Sequence, residues 1–127
     1  MDALGGAPGV HSAYYAGREG NRAERDARNN LKLLADLKDE ANRGAHYACV
    51  MVLVRGPGDS HPLVAEARWE GEIAQAPRGT GGFGYDPLFL PRGRDCTAAE
   101  LAPEEKNRLS HRGRALSKLL ELIRSSA

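Results

Sequence analysis

The sequence predicts a mixed α/β domain, a twisted sheet with helices packed around it. Three observations predict it. Residues 22–43 carry apolar side chains at three- and four-residue steps. Residues 46–54 (HYACVMVLV) are nearly continuous in apolar residues, as in a strand. The chain then closes on a second segment of helical periodicity, in which Ala115, Leu116, Leu119, Leu120 and Ile123 line one face.

With 127 residues the chain makes one domain spanning 1–127, or one lobe of a larger one. A hydrophobic content of 41% and a charged fraction of 28% describe a globular chain. The formal net charge of +1 supplies no overall field to recruit nucleic acid or an acidic membrane, so neither is expected as a partner. No apolar run reaches the length of a bilayer span, and the first residues lack a signal-peptide pattern. Cys49 and Cys96 match neither a disulfide framework nor a zinc motif, and a reduced, cytoplasmic setting is expected.

Taken in order, the opening is a turn-rich loop punctuated by Gly5-Gly6 and Pro8-Gly9. The helix at 22–43 sets Leu31, Leu34 and Leu37 with Ala27, Ala35 and Ala41 against charged residues, with Gly44 as its stop. Residues 46–54 are expected as a central strand, because a continuous apolar run suits burial on both faces. A turn at 56–60 leads to an alternating strand at 63–69, paired antiparallel with the first and extended to Ile73 past a bend at Gly71. Residues 88–90 make a short last strand ended by Pro91. Thr97 and Glu100 have capping-box spacing, and Pro103-Glu104-Glu105 suits the first turn of a short helix. Ser110 can cap the final helix.

The candidate chemistry centres on residues 79–91 (GTGGFGYDPLFLP). Four of its first six residues are glycine, which is costly unless φ is positive or something must approach the backbone. Phe83, Tyr85 and Asp86 add a flat face, a phenol and a carboxylate, a set that suits a planar heterocycle. Downstream, Lys106, His111 and Arg112 are donors to carbonyl oxygens or phosphates at a junction of two helices. Each group alone also fits a plainer reading: aromatics capping a hairpin, and a solvated basic helix face.

In combination the blocks are specific. The order FGYDP, T-AAEL, EEKN and SHRG-AL, preceded by LGGAPGVHSAYYAG, resembles the non-canonical purine nucleoside triphosphate pyrophosphatases, or inosine/xanthosine triphosphate diphosphatases. The likeness runs from about Asp2 to Leu120. It implies a mixed sheet split into two lobes, a truncated version of which would be present here. It implies hydrolysis of ITP, dITP and XTP to a monophosphate and pyrophosphate, with magnesium, by a homodimer. Phe83, Gly84, Tyr85 and Asp86 match the base-pocket block, Lys106 a substrate-contacting lysine, and His111-Arg112 the pair that reads the purine 6-oxo edge. A keto oxygen accepts from such donors, whereas an adenine amino group would leave them unpaired.

Two departures accompany the likeness. Tyr14 stands where the family pattern SARYAG has arginine. The family's opening phosphate loop, its magnesium carboxylates and its general base have no counterpart in these residues. Impaired hydrolysis is therefore expected, and a catalytically inactive purine-nucleotide-binding or dimerisation module is the alternative. No catalytic or metal-binding residue is assigned. Asp36, Asp39 and Glu40 read as a solvated helix face, and Glu104 and Glu105 as partners of a helix dipole.

Overall fold

The computed structural model describes residues 1–125 and divides the chain into two compact units. The first comprises residues 1–46 and 70–101, the second residues 47–69 together with the described residues from 102 onward.

In the first unit, short 3-10 turns at Asp2–Leu4 and Gly9–Tyr14 replace the expected irregular loop. Helix α1 spans Arg22–Asp36. Asn21 caps it reciprocally with Glu24: the Asn21 side chain accepts from the Glu24 N–H, and the Glu24 carboxylate accepts from the Asn21 N–H. The helix ends well before Gly44, because Asp39 takes a positive φ of 65° and the chain turns there. Gly44 instead opens a strand. Arg43, read in the sequence as the end of the helix, works as a strap. Its guanidinium donates to the carbonyls of Leu37, Ile73 and Ala74 at 2.8, 2.8 and 3.0 Å. The buried stripe of α1 is Asn29, Leu33 and Leu37, whereas Leu31, expected on it, is 68% exposed. The stripe follows i, i+4, i+8, so Leu31 falls on the wet side.

The sheet has the order β1-β2-β3 with β1 at Gly44–Leu53, β2 at Leu63–Ile73 and β3 at Phe89–Pro91. β3 pairs antiparallel with β2, placing Gly71 opposite Pro91 and Ile73 opposite Phe89. Among the described residues the sheet is antiparallel rather than mixed, since its strands follow one another without a helical crossover. Gly71 proves to be a packing glycine, not a bend. A Cβ there would sit 2.3 Å from the Leu90 carbonyl oxygen and 2.8 Å from the Phe89 ring. Phe89, Leu88, Leu33 and Leu37 are the largest fully buried apolar side chains of this unit.

In the second unit, β1 lies at the edge of the sheet order, not at its centre. Its exposure alternates: Tyr47, Cys49, Met51 and Leu53 are half-buried, while Ala48, Val50 and Val52 are exposed. Helix α2 spans Pro103–Leu109 and α3 spans His111–Ser125. Ser110 caps α3 as expected, its Oγ accepting from the Gly113 N–H at 3.1 Å. The five-residue stripe expected to be core on α3 is buried only at Ala115; Leu116 and Leu120 are 49% and 44% exposed. This unit has little to cover them, for its other buried residues are Ala65, Ala67, Trp69 and Ser110.

Candidate functional site

The glycine-rich segment belongs to the first unit. Its glycines serve the chain's own packing: a Cβ on Gly81 would stand 2.7 Å from the Ala99 carbonyl oxygen. Gly84 needs its positive φ of 60°, and α1 grips both of its backbone groups. Its N–H donates to Asp26 Oδ2 at 2.9 Å, and its carbonyl accepts from Asn30 Nδ2 at 3.1 Å. Asp26 and Asn30 are one helical turn apart, so a single face of α1 sets the conformation of the FGYD block. Neither residue stood out in the sequence. A polar i, i+4 pair on a helix otherwise read as solvated is the only local signal for them.

Beside that clamp, the candidate side chains take different environments. Phe83 is 43% exposed, with the Arg22 guanidinium 4.3 Å from its ring centroid. Tyr85 is buried, and its hydroxyl donates to the Ser12 carbonyl at 2.6 Å. Burial first, then the neighbouring Tyr15 and Asp26, pushes the Tyr85 phenol well above its ordinary range, so it stays a neutral donor. Asp86 is buried too; Oδ2 accepts from the Phe83 N–H at 3.1 Å, closing a tight turn. Its backbone carbonyl accepts from Ala99, which ties the block to the Thr97 capping box.

The opening loop is fastened to the same helix. Asn29 is buried and donates to the carbonyls of Ser12 and Ala13, while its Oδ1 accepts from the Ala16 N–H at 2.8 Å. Tyr14, standing where the resembled pattern has arginine, holds the guanidinium groups of Arg18 and Arg25 against its ring at 4.7 and 5.5 Å. Cationic character thus persists at that position through its neighbours.

Lys106, His111 and Arg112 belong to the second unit. Lys106 is half-buried on α2, and its carbonyl accepts from the Ser110 N–H, which carries the chain into α3. Gly113 permits that junction: a Cβ there would stand 1.7 Å from the Asn107 carbonyl oxygen. His111 stacks on Tyr47 with centroids 4.8 Å apart and planes 10° apart, and Tyr47 in turn stacks on Trp69 at 6.0 Å. The stack fixes the plane in which the imidazole can donate. Arg112, next in sequence, is exposed. Tyr47 was read in the sequence only as part of a strand.

The acids do not fit a magnesium site. Among the described residues, no group of three or more His, Cys, Asp or Glu converges to hold a metal. Asp36 accepts from Lys32 at 2.8 Å and from the Tyr15 hydroxyl, and Lys32 with Tyr15 holds its carboxyl below the usual range. Glu100 is taken by the Thr97 N–H and by Arg78. No helix of the described residues is long and apolar enough to cross a membrane.

Comparison with known proteins gives a consistent answer. The family described as the Ham1 family matches residues 1–122. The chain is 54% identical over 122 residues to the dITP/XTP pyrophosphatase of Ralstonia nicotianae, covering 96% of this chain and 60% of that one. It is 54% identical over 125 residues to the dITP/XTP pyrophosphatase of Pseudomonas aeruginosa, covering 97% and 61%. Among solved structures, a HAM1 protein from Coxiella burnetii superposes with a TM-score of 0.87 at 44% identity, over 99% of this chain and 62% of that one. The chain therefore spans about three-fifths of the length of the curated relatives it matches.

Proposed function

The chain belongs to the Ham1 family, and on that premise we propose that it supplies base recognition for hydrolysis of ITP, dITP and XTP to monophosphate and pyrophosphate. Phe83, Gly84, Tyr85 and Asp86, and separately Lys106, His111 and Arg112, are the residues proposed to contact the substrate. The observation that carries the reading is the His111–Tyr47 stack. An imidazole whose plane is fixed donates along a fixed direction, and a purine 6-oxo group accepts where a 6-amino group would oppose the donor.

In the first unit the backbone clamp on Gly84 sets the conformation of the block, and the half-exposed Phe83 ring, which already carries the Arg22 guanidinium, would stack on the base. Magnesium, proposed as the family's metal, would neutralise triphosphate charge as the leaving pyrophosphate departs. The described acids do not fit it, so no step is assigned to it on this chain. A homodimer in the cytoplasm completes the proposal.

Calorimetric titration tests the base reading. Inosine monophosphate should bind about 5- to 150-fold more tightly than adenosine monophosphate, the equivalent of the roughly 1–3 kcal/mol cost of an unpaired buried donor. His111→Ala and Asp86→Ala should each weaken inosine binding. Unchanged affinity in both variants sinks the assignment. Release of pyrophosphate from inosine triphosphate with magnesium separates the hydrolase from an inactive binding module.

A further inference from the structure

Phe83 sits between two glycines of positive φ, Gly82 at 70° and Gly84 at 60°. Glycine moves between positive and negative φ at little cost, so such a hinge leaves the direction of the ring undetermined. Steric fit does not settle it at Gly84, where an added Cβ would meet nothing within 4 Å. Hydrogen bonds do. Asp26 Oδ2 accepts from the Gly84 N–H at 2.9 Å, and Asn30 Nδ2 donates to the Gly84 carbonyl at 3.1 Å. Arg22, whose guanidinium lies 4.3 Å from the Phe83 ring centroid, completes an i, i+4, i+8 stripe on α1 with these two.

Asn30 carries an unpaired atom as well: its Oδ1 is buried with no hydrogen-bond partner among the described residues. A buried unpaired oxygen costs stability, which an apolar side chain on the same helix face would avoid. The amide is therefore explained by its one bond, to Gly84. On the base-recognition reading above, we infer that Asp26 and Asn30 are positioning residues: neither touches the nucleotide, and together they hold Gly84 so that the Phe83 face meets the purine ring. Asn29 extends the tie, since the Ser12 carbonyl to which it donates at 3.3 Å also accepts from the Tyr85 hydroxyl at 2.6 Å. Stacking on an aromatic face tolerates any base, because every base has a π-face. The clamp thus sets affinity for purines as a class, whereas a donor to the 6-oxo edge sets the preference among them.

Calorimetric titration with inosine and adenosine monophosphates separates the two roles. Asp26→Ala should weaken both nucleotides by roughly tenfold with their ratio kept, because a misdirected ring loses stacking for either base. Asn30→Asp, which turns an oxygen toward the Gly84 carbonyl, should do the same and carries the test where Asp26→Ala fails to fold. Asp26→Asn keeps an acceptor and should stay within about threefold of wild type. Leu31→Ala, on the exposed side of α1, should change neither affinity. Exchange of the Gly84 amide should quicken in Asp26→Ala and recover in Asp26→Asn, with circular dichroism checking that each variant is folded. Wild-type affinity in Asp26→Ala despite faster Gly84 exchange overturns the positioning role and leaves the base reading standing. Unchanged Gly84 exchange overturns it too, because the clamp is then not what holds the block. A loss confined to the inosine nucleotide does the same, since the residue then acts at the base edge. A wild-type chain that binds neither nucleotide overturns the base reading and this inference with it.

Discussion

The two units meet their own chemistry to different degrees. The first buries Leu33, Leu37, Leu88 and Phe89 and also satisfies buried polar groups: Asn29 grips the opening loop, Asp86 closes its turn, and Thr97 donates to the Arg78 carbonyl. The second buries one large side chain, Trp69, among alanines and Ser110. Its valines and the leucines of α3 stay half in water. Large buried groups and paired polar atoms make a unit that is complete in itself, whereas alanines leave little apolar area to bury. The glycine-rich block is thus held by its own surroundings, while the strand that carries Tyr47 keeps the valines of its other face half in water.

Core truncation of the first unit should have the largest effect. Leu33→Ala, at a fully buried position, should cost about 2–5 kcal/mol in denaturant unfolding. Val52→Thr, on the open face, should stay within about 0.5 kcal/mol. Equal costs would mean that the valine row is already packed in solution.

Loss of a buried polar group in the first unit should cost less. Asn29→Ala leaves the Ala16 N–H without its acceptor and removes the Asn29 donor from the Ala13 carbonyl, while the Ser12 carbonyl keeps the Tyr85 hydroxyl, a loss of about 1–3 kcal/mol. The Ala16 amide should then exchange faster than those of β2. Unaltered exchange would show that the opening loop is held by something other than Asn29.

The smallest effect lies in the turn of the second unit. Asp59 accepts from the N–H groups of Arg55 and His61 at 3.0 and 2.9 Å and from the Arg55 guanidinium, which together draw its pKa down to about 2. A depressed folded-state pKa stabilises above the ordinary aspartate value near about 4 and is lost as pH falls through the folded value. Between those limits the melting temperature of the wild-type chain should fall more steeply than that of Asp59→Asn. Parallel curves would show that the exposed turn contributes nothing, as screening permits.

Much of the fold was legible because its signals are local. Capping at Thr97 and Ser110, proline at the start of α2 and alternation in β2 each depend on residues a few places apart. The end of α1 was misplaced because Arg43 looks helical by neighbours alone, while its partners Ile73 and Ala74 are distant in sequence. The α3 stripe was read as core because periodicity identifies an apolar face without showing what covers it. Within the candidate site, the order of the blocks was visible, yet the clamp by Asp26 and Asn30 was not, since its Gly84 partner lies more than fifty residues away.

By itself the sequence determined the family resemblance, the elements' types and the residues proposed to read a purine edge. These rest on side-chain identity and short-range spacing, which survive in a string of letters. Only the tertiary structure decided that Gly84 is gripped from α1, that His111 lies flat on Tyr47, and that β1 is an edge with one face bare. Those are long-range contacts. Their free energy depends on which surfaces meet, and no local pattern records that.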